Sequence, residues 1–203
     1  MFKKLASDVM GLSDIGKIIS PEDYDKVASD DYVMHEDDEK IYFLIKSKTD
    51  EYCFTNTALI HLDGTSAVSS KRMLKRYSYK NNRFTTVLLE TAGNVDLDVE
   101  IKFNLNDVGF SIDVDKKQLE QLKDLYKSLI QIASIQKTNG EKLEMSDQSL
   151  GISMASLKGA FGSNVNKDQF QAVNEYAYEW KVAKYTELNR EDFGEVFEKY
   201  INN

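Results

Sequence analysis

Glu90–Lys102 reads ETAGNVDLDVEIK, and the alternation that begins inside it continues to Leu105. From Asp96 onward, Leu97, Val99, Ile101, Phe103 and Leu105 fall on one side. Asp96, Asp98, Glu100, Lys102 and Asn104 fall on the other. A period of two predicts an antiparallel strand with one face in a core and one in water. The Thr-Ala-Gly-Asn stretch before it reads as a turn, so Val87–Glu90 is predicted to be the partner strand.

The same signals extend in both directions. Upstream, Ile41–Lys48 (IYFLIKSK), Tyr52–Thr55 and Ala58–Leu62 read as strands separated by Thr49-Asp50-Glu51 and Asn56-Thr57. Asp63-Gly64 turns the chain again. Residues 69–79 and 84–90 give two more strands around Asn81-Asn82. Downstream, Asn106-Asp107 leads into Val108–Val114. Seven closely spaced strands with short turns predict a barrel or sandwich. From Asp115 the period becomes helical to about Gln136. Leu119, Leu122, Tyr126, Leu129 and Ala133 form one stripe, and Leu125, Ile132 and Ile135 form a second. The second stripe calls for a further partner.

At the N-terminus, Phe2, Leu5, Val9 and Met10 can share one side of a short helix packed on the body. The opening residues match neither a secretory signal nor a membrane span. Ser20-Pro21 followed by acids predicts a helix that ends near Asp30. Residues 138–167 contain Gly140, Gly151, Gly159 and Gly162 and read as a linker, with one short helix around Met154–Phe161. Beyond it, Phe170, Val173, Ala177, Trp180 and Lys184 predict one helix capped by Asn166 or Asp168. Phe193, Val196, Phe197, Tyr200 and Ile201 predict a second, capped by Asn189. The predicted divisions are an N-terminal helical segment at 1–30, a barrel with its helix at 31–137, a linker at 138–167 and a helical hairpin at 168–203.

The chain has 203 residues, 41% apolar content and a net charge of −8. That balance supports a real core and argues against nucleic-acid binding, which needs cationic surface. One cysteine, Cys53, excludes an internal disulfide and points to the reducing cytoplasm.

Two segments carry a resemblance. In YCFTNTALIHLDG, Phe54, Thr55, Asn56, Leu59 and Ile60 match the "FTN-x-x-L-I" hairpin of bacterial pleckstrin-homology domains. Glu90, Thr91, Ala92, Gly93, Asp96, Leu97, Asp98, Glu100 and Lys102 match the "ETAG-x-x-D-L-D-x-E-L-K" segment of the same family. The C-terminal hairpin is similar to the extension of its YvbH-like members, regarded as an oligomerisation region. The resemblance implies an α+β fold: a seven-stranded antiparallel barrel or sandwich capped by one long helix, with a C-terminal helical hairpin. It implies assembly and transfers no catalytic residues. The first hairpin, Lys46-Ser47-Lys48-Thr49-Asp50-Glu51, balances its lysines with acids, unlike the basic hairpin of phosphoinositide-binding relatives, so it lends no support to membrane association.

Asp96, Asp98 and Glu100 share a strand face, but alternate residues on a strand stand too far apart for a calcium loop. A solvated face, or a polar subunit contact with Lys71, Arg72, Lys75 or Arg76, fits better. His35 and His61 have no ligand spacing, and Cys53 reads as a small buried hydrophobe. No cofactor-binding, metal or catalytic set is predicted. The expected function is a non-enzymatic self-assembly module. It works as a homo-oligomer, with Leu125, Ile132, Phe170, Trp180, Phe193, Phe197 and Tyr200 as interface candidates. The linker makes exchange of the hairpin between subunits feasible. The alternative is an adaptor that binds anionic lipid or a phosphorylated partner through Lys71, Arg72, Lys75 and Arg76 in the basic stretch 71–83. An enzyme with dispersed catalytic groups ranks last.

Overall fold

The structure is a computed structural model that describes residues 15–64, 72–91, 97–161 and 166–201. Two antiparallel sheets form its β part. The first runs in the order β1 (Lys17–Ile18), β2 (Ile41–Lys46), β3 (Glu51–Thr55), β4 (Ala58–Gly64), β5 (Arg72–Ser78). The second runs β6 (Phe84–Glu90), β7 (Asp98–Leu105), β8 (Val108–Asp115). The seven expected strands are β2–β8, and the short β1 adds an eighth. Among the described residues the sheets do not close into a barrel. A parallel bridge, Gly16 to Val114, links the residue before β1 to β8, with the Gly16 N–H donating to the Asp113 carbonyl at 2.8 Å.

Strand β7 buries Val99, Ile101, Phe103 and Leu105 and leaves the residues between them half-buried. Leu97 is 76% exposed, so the inward alternation starts at Val99, one step later than the sequence predicts. The turn at Asn106 adopts φ 51°, a left-handed conformation that asparagine tolerates. Its side chain accepts from Arg83 N at 3.0 Å and donates to the Asn81 carbonyl at 3.1 Å, tying the β7–β8 turn to the β5–β6 turn.

The core between the sheets is aromatic. Phe103 stacks on Phe110 at 4.9 Å and meets Phe54 and Phe84 at 5.9 and 5.5 Å in tilted or edge geometry. The segment before β2 is not the helix expected from Ser20-Pro21. It forms three short 3-10 turns, Pro21–Lys26, Ser29–Tyr32 and His35–Asp37, and the Ser20 hydroxyl bonds Glu22 rather than capping. Tertiary contacts outweigh the local start signal. Val27 and Val33 pack on Leu44, Cys53, Ile60 and Leu62, a spacing that one regular helix does not present. The predicted helix of Phe2, Leu5, Val9 and Met10 lies outside the described residues.

Two buried carboxylates fasten these turns to the first sheet. Glu39 accepts from Met34 N (2.8 Å), Thr55 Oγ1 (2.5 Å), Thr57 Oγ1 (2.8 Å) and Arg76 Nη2 (2.8 Å). Glu51 accepts from Ser29 N at 2.8 Å and Lys46 Nζ at 2.7 Å. Burial pushes both carboxyls up, and their donors and cations outweigh it, so both sit below the ordinary carboxylate range.

Helix α1 spans Leu119–Phe161 without interruption. Residues 138–161 are therefore helical where composition pointed to a linker. Glycine and serine are offset there by Glu141, Lys142, Leu143, Glu144, Met145, Gln148, Leu150, Met154, Ala155 and Leu157, all good helix formers, and no proline intervenes. Helix α2 (Lys167–Leu188) opens with a capping box. Asn166 Oδ1 accepts from Gln169 N at 2.8 Å, and Gln169 Oε1 accepts from Asn166 N at 3.2 Å. Helix α3 is the short Gly194–Tyr200. Asn189 closes α2 instead of capping α3.

The chain divides into two compact units, residues 1–133 with 191–203, and residues 134–190. In the first, α1 buries Leu122, Leu125, Leu129 and Ile132 completely. Their i, i+3, i+7, i+10 spacing is one face, so the two predicted stripes merge and need no second partner. In the second, α2 lies beside the distal part of α1, with Lys181 Nζ 3.3 Å from Asp147 Oδ1.

Two tests follow from the carboxylates. Arg76→Ala leaves Glu39 a buried charge without its cation and is expected to cost about 3 kcal/mol in denaturant unfolding. The folded-state pKa of Glu39 and Glu51 is depressed, so their stabilisation is present above the ordinary carboxylate value and disappears as pH falls through the folded one. Stability should therefore decline as pH falls below the ordinary carboxylate range, and the Glu39→Gln, Glu51→Gln double variant should flatten that decline.

Candidate functional site

The most elaborate polar arrangement outside the core is the seat of α3 on the first sheet. Asn56 follows β3, is 5% exposed and bonds in four directions. Its N–H donates to the Lys40 carbonyl (3.1 Å), and its Oδ1 accepts from Lys40 N (2.9 Å). Its Nδ2 donates to Asp192 Oδ2 (2.6 Å), and its carbonyl accepts from Phe193 N (2.8 Å). The Thr55 hydroxyl, which donates to Glu39, accepts from Ala58 N at 2.9 Å across the same turn, which fixes the residue before Asn56. A turn between two strands thus becomes a receptor for a segment 136 residues away.

Around this polar hook the contacts are aromatic. Phe193 and Phe197 are fully buried. Phe197 stacks on Tyr42 (5.4 Å, 18°), and Phe193 meets Tyr79 edge-on at 6.0 Å. The Tyr42 hydroxyl donates to Glu198 at 2.8 Å. Partial burial and that carboxylate raise its pKa to about 12, so it stays a donor. Lys80 pairs with Glu191. Gly194 is required by close approach: a Cβ there would stand 2.8 Å from Tyr42 Oη and 3.1 Å from Asp192 Oδ1.

The predicted sites fare differently. Leu125 and Ile132 are fully buried in the core of the first unit, so their apolar surface is spent there. Phe193 and Phe197 are buried on the first sheet rather than in a hairpin with α2, and Tyr200 is half-buried. Phe170 is 66% exposed, and Trp180 is half-buried in the second unit. The cations of β5 are engaged by carboxylates: Arg72 with Glu51 (3.6 Å), Lys75 with Asp63 (2.7 Å) and Arg76 with Glu39 (2.8 Å). These pairs split between the faces of β5 and compete with any anionic ligand. Lys71 and Asp96 lie outside the described residues. Glu100 is held by Lys102 (2.9 Å) and by the Ser111 hydroxyl, and Lys102 also reaches Glu90 at 3.0 Å.

The β2–β3 hairpin is a poor phosphate site. Lys46 is committed to Glu51 at 2.7 Å. Burial, together with Asp50, Asp63 and Asp113, raises the Tyr52 pKa to about 12, which marks the surroundings as acidic. Among the described residues no three His, Cys, Asp or Glu side chains are grouped to hold a metal. His35 pairs with Asp30 (2.9 Å) and His61 with Asp50 (3.1 Å). Cys53 is buried, which pushes its thiol well above the ordinary value. No helix among the described residues is long and apolar enough to cross a membrane.

This architecture can be set against known proteins. The profile of the bacterial PH domain matches residues 9–133. The chain belongs to the bacterial PH domain family. A second profile, the YvbH-like oligomerisation region, matches residues 144–203. YvbH of Bacillus subtilis (strain 168) is 55% identical over 204 residues and is covered, like this chain, over 100% of its length. The crystal structure of a PH-domain-containing protein from Exiguobacterium sibiricum superposes with a TM-score of 0.83 at 50% identity, covering 93% of this chain and 100% of that one. The PH profile accounts for the sheets and the first part of α1. The oligomerisation profile spans α1 from residue 144 onward, α2 and α3.

The Asn56 hook was hidden in the sequence because its partners are 136 residues apart. The one available signal was an Asp-Phe-Gly-x-x-Phe pattern at 192–197 with no core of its own. Asn56→Asp sets a second carboxylate against Asp192. It is expected to lower hydrogen-exchange protection at the Phe193 and Val196 amides by about 10-fold or more while strands β6–β8 keep theirs.

Proposed function

We propose that this protein is a non-enzymatic self-assembly module whose residues 134–190 pack against other copies of the chain. The observation that carries this reading is the state of α2. It has no buried residue, yet Phe170, Tyr176, Tyr178, Val182 and Tyr185 are 45–69% exposed. Val173, Ala177, Trp180, Lys184 and Leu188 form a half-buried seam at a/d-like spacing. Tyr178, Val182 and Tyr185, at i, i+4 and i+7, make a second apolar stripe away from that seam. Met145 and Ile152 of α1 add exposed apolar side chains one heptad apart (66% and 69%). A helix pair that buries so little is marginal alone, and an aromatic stripe of this kind gains stability by being covered. The match of this stretch to an oligomerisation region supports the same reading.

The sheets offer a second contact surface. Among the described residues β5 and β6 are edge strands, with Met73, Leu74 and Leu88 exposed. Strand β6 is irregular between Thr85 and Leu88, with Thr86 at φ 51°, which interrupts a continuous pairing edge. Side-chain contact through β5 therefore fits better than strand addition along β6. The internal ion pairs of β5 weigh against the lipid or phosphate adaptor.

Light scattering on the full chain should give a mass several times the 23.2 kDa of one copy. The triple variant Tyr178→Asp, Val182→Asp, Tyr185→Asp should lower that mass and leave the β signal in circular dichroism unchanged. A full chain that scatters as a single copy overturns the reading.

A further inference from the structure

The distal part of α1 and α2 form an antiparallel helix pair, and two contacts fix which residues line each side of it. On one side Lys181 Nζ stands 3.3 Å from Asp147 Oδ1. On the other, Lys184, and after it Lys142 from across the pair, hold the Glu187 carboxyl below its ordinary range. Between these sides runs the half-buried seam, Leu143, Ser146 and Leu150 on α1 and Val173, Ala177 and Trp180 on α2. Counted from that seam, Tyr178, Val182 and Tyr185 stand about 130° round α2, and Met145 and Ile152 stand about 140° round α1 in the sense that takes them to the opposite side. The two exposed stripes therefore face away from each other. They also lie at the same height, since Asp147 is level with Lys181 and Lys142 with Glu187.

We propose that the α2 stripe of one copy docks on the Met145–Ile152 face of a second copy, so that copies associate head to tail through unlike faces. The inference rests on the self-assembly reading and names both halves of its contact. Three observations choose this occupant. The α1 face lacks the charged coat of an exposed helix: Gln148–Leu157 holds no charged residue in a chain that is 30% charged, yet all of it except Leu150 is exposed. Its relief complements the stripe, because Ser149, Ala155 and Ser156 flank Ile152 with small side chains over which the rings of Tyr178 and Tyr185 can lie. Finally, a two-fold pairing of α2 with α2 leaves Met145 and Ile152 uncovered, whereas the head-to-tail contact uses both faces of every copy. It also keeps Glu175 and Glu179, which border the stripe, away from the same acids of another α2 and over the uncharged stretch.

The test uses two full-length chains, one with Ile152→Cys and one with Tyr178→Cys. These positions meet across the proposed contact, and the native Cys53 is buried. Each chain is treated with a short bismaleimide alone and after co-expression with the other. The expected result is a covalent dimer from the co-expressed chains and only the wild-type background from either chain alone. The Met145→Asp, Ile152→Asp double variant should lower the light-scattering mass as far as the α2 triple variant does, and an unchanged mass overturns the proposal. A covalent dimer from the Tyr178→Cys chain alone shows like faces meeting and overturns it too. So does a co-expressed pair that stays uncoupled while its mass is several times 23.2 kDa, an outcome that leaves self-assembly standing. A mass of one copy overturns both readings.

Discussion

Two sheets that do not close on each other leave apolar inner faces in need of cover, and the rest of the first unit answers that need. Phe54, Phe84, Phe103 and Phe110 fill the space between the sheets. The first turns of α1 bury four aliphatic side chains on one face. The 3-10 segment supplies Val27 and Val33 to the cluster around Leu44 and Ile60, and α3 adds Phe193 and Phe197. Each covering piece is too short or too narrow to be stable by itself, so the unit holds together through tertiary packing rather than local propensity.

Polar groups decide where the covering pieces sit. Glu39 and Glu51 are almost completely buried and fully engaged, and each joins a turn before β2 to a strand or a cation of the sheet. Asn56 does the same for the C-terminus. An isolated carboxylate or carboxamide in those positions would be costly, so their hydrogen bonds select one placement among many that bury similar apolar area. The cations of β5 serve this internal order. Arg72, Lys75 and Arg76 thus pair with carboxylates of their own chain.

The second unit follows another logic. Its helices are built of good helix formers, α2 opens with a capping box, and they bury little of what they carry. Aromatic residues concentrated on an exposed helix are characteristic of a surface made to be covered. A PH domain with this region attached combines a well-packed first unit with a helix pair that leaves Tyr176, Tyr178 and Tyr185 exposed, and α3 returns the chain to the first unit.

The sequence by itself determined the sheets, because alternation and turn chemistry are local: β7 is read from Val99, Ile101, Phe103 and Leu105, and the turns from Asn56-Thr57 and Asn106-Asp107. It determined the family through the segments around Asn56 and Glu90, and it placed the start of α2 at Asn166 or Asp168, of which the structure uses Asn166. It misread 138–161 as a linker, because glycine and serine drew more weight than the helix formers between them. Only the tertiary structure decided that Pro21 opens 3-10 turns, since burial of Val27 and Val33 overrides a local start signal. Only it merged the two stripes of α1 into one face, because the faces of a helix are defined by what packs on them. Only it parted α3 from α2 and seated it on Asn56 and Tyr42, because a hydrogen bond across 136 residues leaves no periodicity to read.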